Sequence, residues 1–306
     1  MTKKSLSHGR ARAIAVLVTL LWSSSWILIR WGLDDEALEP ITFAALRYGL
    51  ASIALAAIVA SRSSLRQQMR SLDPSGWRDI GILGLVFYTL TQGAQFIAID
   101  TQPAATSSLV LSLTPLLVAA TATRSLSEAP QGSQITGALL VAVGAWSYFS
   151  GQLGATAIGM TAALIGLGGN TVSTLLGRRV NRETDVSSLV VTALSMAIGS
   201  LLLVVVGIGL EGIPEISGVA WVIIIWLAGV NTAFAFTLWN VSLRRLSAVE
   251  SAGLNNTMLI QIAMLAWIFL DESPGVREWI GIGAVSLGIF LTQTAFSGSI
   301  SGRERR

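Results

Sequence analysis

The chain contains no cysteine and a single histidine, His8. The first absence excludes disulfides, thiolate metal sites and cysteine nucleophiles. The second denies one chain a histidine metal cluster or a Ser/His/Asp triad. Charge is scarce as well: 12% of the 306 residues are Asp, Glu, Lys or Arg, about half of what soluble domains carry. No long apolar run holds an Asp or Glu near its middle; Asp79, Asp100 and Glu250 all fall near the ends. A carboxylate that titrates deep in lipid, as proton-coupled exchange requires, is therefore not expected. What is present is 52% hydrophobic residues and a mean hydropathy of +0.67, the composition of a membrane protein. Neither a cofactor nor a metal is expected, and the paired carboxylates that enzyme chemistry would need are missing.

The chain also repeats itself. Shifted by 144 positions, Ala104 lands on Ala248, Ser107 on Ser251, Ala119 on Ala263, Leu126 on Leu270, Glu128 on Glu272, Pro130 on Pro274, Gly137 on Gly281 and Gly144 on Gly288, without a gap. Trp77 falls on Trp221 at the same offset. The chain therefore reads as two copies of one unit, residues 1–150 with a basic tail at 1–11, and residues 151–306 with a basic tail at 297–306.

Roughly 20 apolar residues span a bilayer, and charge clusters, Pro and Gly divide the chain into ten such runs, with starts near residues 12, 40, 75, 103, 132, 156, 186, 218, 247 and 275. The first is bulky with Trp22, Trp26 and Trp31 and reads as a retained span rather than a signal peptide. With the N-terminus inside, 17 of the 20 basic residues collect on the cytoplasmic side, as positively charged loops do. The net charge of +3 is then a topology signal, and nucleic acid is not expected as a partner. Both termini are expected to be cytoplasmic, in a bacterial inner membrane. Five spans per copy is an odd number, so the second copy enters from the opposite side. The expected fold is all-α, ten transmembrane helices in two inverted five-helix repeats, an arrangement that places a substrate site near mid-membrane between the halves.

Trp22-Ser-Ser-Ser-Trp26, Pro40 followed by Arg47, the small-residue run Ala104 to Leu109 leading to Pro115, Glu128, and Gly137 with Gly144 resemble the EamA repeat of the drug/metabolite transporter superfamily. Ala248 to Leu254, Glu272, Gly281 and Gly288 repeat the pattern in the second copy. The Trp-rich first span looks most like the YddG-type exporters of amino acids. The resemblance implies a metabolite exporter of neutral or aromatic amino acids working by alternating access. The alternative within the superfamily is a proton-coupled exporter of drugs or nucleotide derivatives. Two departures stand out: Leu259 occupies the place of a second Pro115, so the ninth span is expected to be straighter, and Asp271 precedes Glu272.

Polar residues inside spans tend to face the bundle or a wet cavity. Tyr88, Gln92 and Gln95 share one helical face at i, i+4 and i+7. Asn170 stands with Ser173 and Thr174, Trp239 with Asn240, and Asn256 with Thr257 and Gln261. Together with Trp26 they make a neutral, amide-lined, aromatic-walled substrate chamber, or they join helix to helix. Pro115 frees the carbonyl of Leu111, as a hinge or gate or as a static bend satisfied by a nearby hydroxyl. Arg47 is a candidate partner for a substrate carboxylate; the other reading pairs it with Glu39 or Asp100. Glu250 is placed to complement a helix dipole. The stripes Gly137, Val141, Gly144 and Gly281, Val285, Gly288 allow close helix packing. A monomer is the default expectation, with a homodimer through the fifth and tenth helices as the alternative.

Overall fold

The computed structural model describes residues 6–34, 36, 38–102, 104–126, 130–151, 154–212, 215–270 and 275–294. No strand occurs among them. Eleven helices follow in order. They are α1 (His8–Asp34), α2 (Pro40–Ser61), α3 (Ser63–Arg70), α4 (Pro74–Thr101), α5 in two segments (Ala104–Leu111 and Thr114–Leu126), α6 (Gly132–Phe149), α7 (Ala157–Glu183), α8 (Ser188–Glu211), α9 (Gly218–Leu243), α10 in two segments (Ala248–Asn255 and Thr257–Leu270) and α11 (Val276–Thr294). Six of these, α1, α2, α4, α7, α8 and α9, are long and apolar enough to cross a membrane. The expected count of ten becomes eleven because of α3, whose eight residues SSLRQQMR are too short and too polar to span a bilayer. Glu128, Asp271 and Glu272 lie outside the described residues.

Starts are set locally. Pro opens α2 and α4, where a missing N–H costs nothing. The side chains of Asp73, Thr156, Ser187 and Ser217 accept from backbone N–H groups at the starts of α4, α7, α8 and α9. The side chain of Glu211 caps α2 from a distance, accepting from the N–H groups of Ile41 at 3.1 Å and Thr42 at 2.6 Å. Glu250 completes a capping box with Ser247 at the start of α10. It is also 1% exposed, takes a hydrogen bond from Arg12 at 2.8 Å and lies 2.9 Å from the His8 ring. Its role thus exceeds a dipole contact: it ties the start of α1 to the start of α10.

Three pairs of helices that are equivalent under the 144-residue offset pack against each other: α2 with α8, α5 with α10 and α6 with α11. The start of α2 meets the end of α8 through Glu211. In α6 and α11, a Cβ built on Gly137 would lie 2.5 Å from the carbonyl oxygen of Gly288, and one built on Gly144 would lie 2.7 Å from that of Gly281. The reciprocal contacts from Gly281 and Gly288 are as close. Only glycine permits backbones this near, and the two stripes are spent on each other within one chain.

Irregularities recur in register too. α4 widens into i→i+5 turns over Leu85–Thr91 and α9 does so over Leu227–Phe234. Shifted by the repeat offset, the first wide stretch falls on 229–235 and overlaps the second. α5 breaks at Ser112 and Leu113, just before Pro115, and the freed carbonyl of Leu111 accepts from the Thr114 hydroxyl at 2.7 Å, so the bend is satisfied in place. α10 also breaks, at Asn256 (φ −71°, ψ −5°), without a proline. Asn256 is the counterpart of Ser112, and its Nδ2 donates to the Ser112 carbonyl at 3.0 Å. Each break supplies a partner to the other.

Glycine to alanine within an exposed helix normally stabilises by about 0.5–1 kcal/mol. Gly283→Ala, with nothing within 4 Å of its added Cβ, is expected to behave so. Gly144→Ala is expected to destabilise by roughly 1–3 kcal/mol because the two backbones must separate. Thermal unfolding of the two variants in detergent should shift in opposite directions.

Candidate functional site

The irregular stretches lie beside a cavity of about 100 Å³ that is partly open to solvent. Its wall takes residues from α1, α2, α4 and α5 of the first copy and from α7, α9 and α10 of the second. It therefore lies between the copies.

The wide turn of α9 holds two cavity residues in place. An i→i+5 turn leaves backbone carbonyls without their usual helical donors, and the carbonyl of Asn231 accepts from the indole N–H of Trp22 at 3.1 Å. One residue on, the hydroxyl of Thr232 accepts from Nε of Arg47 at 2.7 Å. Arg47 is 3% exposed, and its guanidinium carbon sits 5.2 Å from the Tyr48 ring centroid, within cation–π range. Neither Glu39 nor Asp100 bonds to it: both are exposed at helix ends. Three further acids at helix ends are engaged elsewhere, Glu250 with Arg12 and His8, Asp79 with Arg78 and Arg179, and Glu211 with the start of α2.

Aromatic rings gather around Phe236. Trp22 lies 4.8 Å from it, Tyr88 5.2 Å, Phe87 5.3 Å and Tyr48 6.0 Å between centroids, while Trp22 and Trp239 are 5.2 Å apart. These are the offset and edge contacts that aromatic quadrupoles favour. Opposite them stand amides and hydroxyls. Gln92 gives its Oε1 to the Tyr48 hydroxyl at 2.6 Å, which leaves its amide nitrogen to offer to a ligand. Gln95, Asn170, Ser173 and Thr174 complete this polar side. Ser173 and Thr174 donate to the carbonyl of Asn170 at 3.1 and 2.7 Å, so their oxygens are left as acceptors.

Of the residues singled out from the sequence, Trp26, Arg47, Gln92, Gln95, Asn170 and Trp239 meet in this wall. Four do not. Tyr88 sits inside the wide turn of α4, fully buried; the widened turn breaks the i, i+4, i+7 face and puts Tyr88 against Gly199 of α8. Asn240 donates to Thr192 Oγ1 and the Phe236 carbonyl, both at 3.0 Å, and accepts from Asn181 at 2.5 Å, joining α7, α8 and α9. Asn256 is committed to Ser112. Gln261 binds α1, its Oε1 accepting from Ser23 at 2.9 Å and its Nε2 donating to Thr19 at 3.2 Å. Pro115 lies beside the wall, which its neighbour Thr114 lines.

The structure adds Trp22, Ser25, Tyr48, Phe87, Phe236 and Asn255 to the lining. A helical signal for two of them was present: Trp22 is one turn before Trp26, and Phe236 is three residues before Trp239. Tyr48 and Asn255 had none, because adjacency to Arg47 and to a helix break says nothing about direction.

The profile of the EamA-like transporter family matches residues 10–150 and again 157–294. An uncharacterized transporter of Archaeoglobus fulgidus is 24% identical over 295 residues, which cover 93% of this chain and 98% of that protein. A protein of known crystal structure superposes with a TM-score of 0.78 over 94% of this chain and 99% of its own, at 20% identity, a likeness of fold. With two copies of the family profile filling nearly its whole length, this multi-pass membrane protein belongs to the EamA-like transporter family.

Proposed function

We propose that the chain is a metabolite exporter of neutral and aromatic amino acids, embedded in a bacterial inner membrane with both termini in the cytoplasm. Ten spans in two inverted copies would enclose the central cavity and expose it to each side in turn. The antiparallel packing of equivalent helices supports this topology, since copies related in that way interconvert between two mirrored openings. The observation that carries the substrate reading is the cavity wall itself. It holds a guanidinium suited to a carboxylate, amides and hydroxyls suited to further hydrogen bonds, and a cluster of rings suited to an apolar side chain. A phosphate-bearing substrate would call for several cations, and among the described residues the wall contains one, Arg47.

Transport is read as facilitated. Among the described residues no Asp or Glu lines the cavity, so those residues offer no carboxylate to exchange a proton for substrate. The pairing of Glu250 with Arg12 and His8 gives that acid a structural task at the start of α10.

In proteoliposomes, phenylalanine release is expected to saturate, and a pH gradient alone is expected to drive no uphill accumulation. Uphill accumulation under a pH gradient would overturn the facilitated reading. Two variants separate lining from helix joining. Gln95→Ala is expected to raise KM for phenylalanine by about three- to tenfold with unfolding temperature unchanged. Asn240→Ala is expected to lower stability by about 1–3 kcal/mol, the cost of stranding its buried partners, while KM per folded molecule stays the same. Equal KM in wild type and Gln95→Ala would remove the site assignment.

A further inference from the structure

The proposed amino acid carrier has a charge inventory that a zwitterion does not match, and the inference drawn from it rests on that carrier reading. Among the described residues, Arg47 is the one ionised side chain in the cavity wall. It lies buried between α2 and the wide turn of α9, and its two described contacts, the Thr232 hydroxyl and the Tyr48 ring, carry no formal negative charge. A guanidinium has five N–H donors, and Thr232 uses the one on Nε. The terminal nitrogens remain for a bidentate carboxylate. An ammonium group would need the converse, an acidic side chain, and no described acid reaches the wall. The ammonium of an amino acid would find only neutral acceptors such as Ser173 and Thr174, and a buried cation without a counter-ion is costly. Its own carboxylate would already be committed to Arg47.

We infer that the site selects apolar and aromatic monocarboxylates, the carboxylate on Arg47 and the apolar body against Phe236 and its neighbouring rings, with the ammonium group dispensable. Such a substrate bears one net negative charge, whereas Arg47 stays with the protein and changes nothing at the end of a cycle. Each transport event therefore moves one negative charge across the membrane. In a cell whose interior is negative, the potential itself drives that charge outward, which supplies a force for export with no titrating carboxylate in the protein. A zwitterion moved alone takes no energy from the potential.

The test uses the full chain in proteoliposomes loaded with one of three isosteric probes. These are phenylalanine, phenyllactate, in which a hydroxyl replaces the ammonium, and phenylalaninamide, in which an amide replaces the carboxylate. Phenyllactate is expected to pass at least as fast as phenylalanine, and phenylalaninamide at the rate of empty liposomes. A valinomycin-set potassium diffusion potential, negative on the phenyllactate side, is expected to speed its release, the opposite potential to slow it, and neither to alter phenylalanine flux. Arg47→Gln is expected to weaken phenyllactate binding at least roughly tenfold, with Arg47→Lys retaining part of it; thermal unfolding confirms that both variants fold. Phenylalanine transport without phenyllactate transport would overturn the inference and leave the amino acid carrier standing. Phenyllactate transport without phenylalanine transport would uphold the inference and remove the amino acid reading. Phenylalaninamide moving as fast as phenyllactate, or phenyllactate flux indifferent to the potential, would also overturn it.

Discussion

In hydrocarbon a backbone carbonyl has no water to turn to, so a helix that breaks or widens must find its missing donors inside the protein. This constraint shapes the centre of the molecule. The widened stretch of α4 and the breaks in α5 and α10 border one cavity, and the widened stretch of α9 holds two of its wall residues. The freed groups are met by named partners: the Asn231 carbonyl by Trp22, the Leu111 carbonyl by Thr114, and the Ser112 carbonyl by Asn256. Irregular backbone is tolerated there because it is buried in protein or lines a cavity.

Duplication explains why these features pair. The copies run antiparallel where equivalent helices meet, so an irregularity in one stands opposite its counterpart in the other. Ser112 and Asn256 occupy the same position in their copies and bond to each other. The glycine stripes of α6 and α11 meet in the same way. The symmetry is incomplete where chemistry is concerned. Arg47 has Val191 as its counterpart, and Glu250 has Thr106, so this cation of the wall and the buried ion-pair cluster at the start of α10 belong to one copy each. The fold supplies a symmetric frame, and single residues make its two ends and its two walls different.

Most of the frame was legible in the sequence, because apolar run length, proline and glycine placement and an ungapped repeat all act through local or periodic physics. The helix that was missed, α3, is short and polar, and hydropathy does not register such a segment. The site was legible only in part. Polar residues in spans must be satisfied, but satisfaction comes equally from a neighbouring helix or from a cavity, and composition does not tell the two apart. Asn170 and Asn240 look alike as residues; one faces the void, and the other is saturated by Thr192, Phe236 and Asn181. The i, i+4, i+7 argument for Tyr88 assumed a regular helix, and a wide turn in α4 breaks that register.

The sequence by itself determined that the chain is a helical membrane protein, that it is doubled, and that it carries almost no charge in its spans, because lipid enforces these features on every segment independently. Which amides line the cavity, which way Arg47 faces, and that α10 breaks without a proline were decided by tertiary structure. Each depends on what lies across the interface between the copies, and no single segment carries that information.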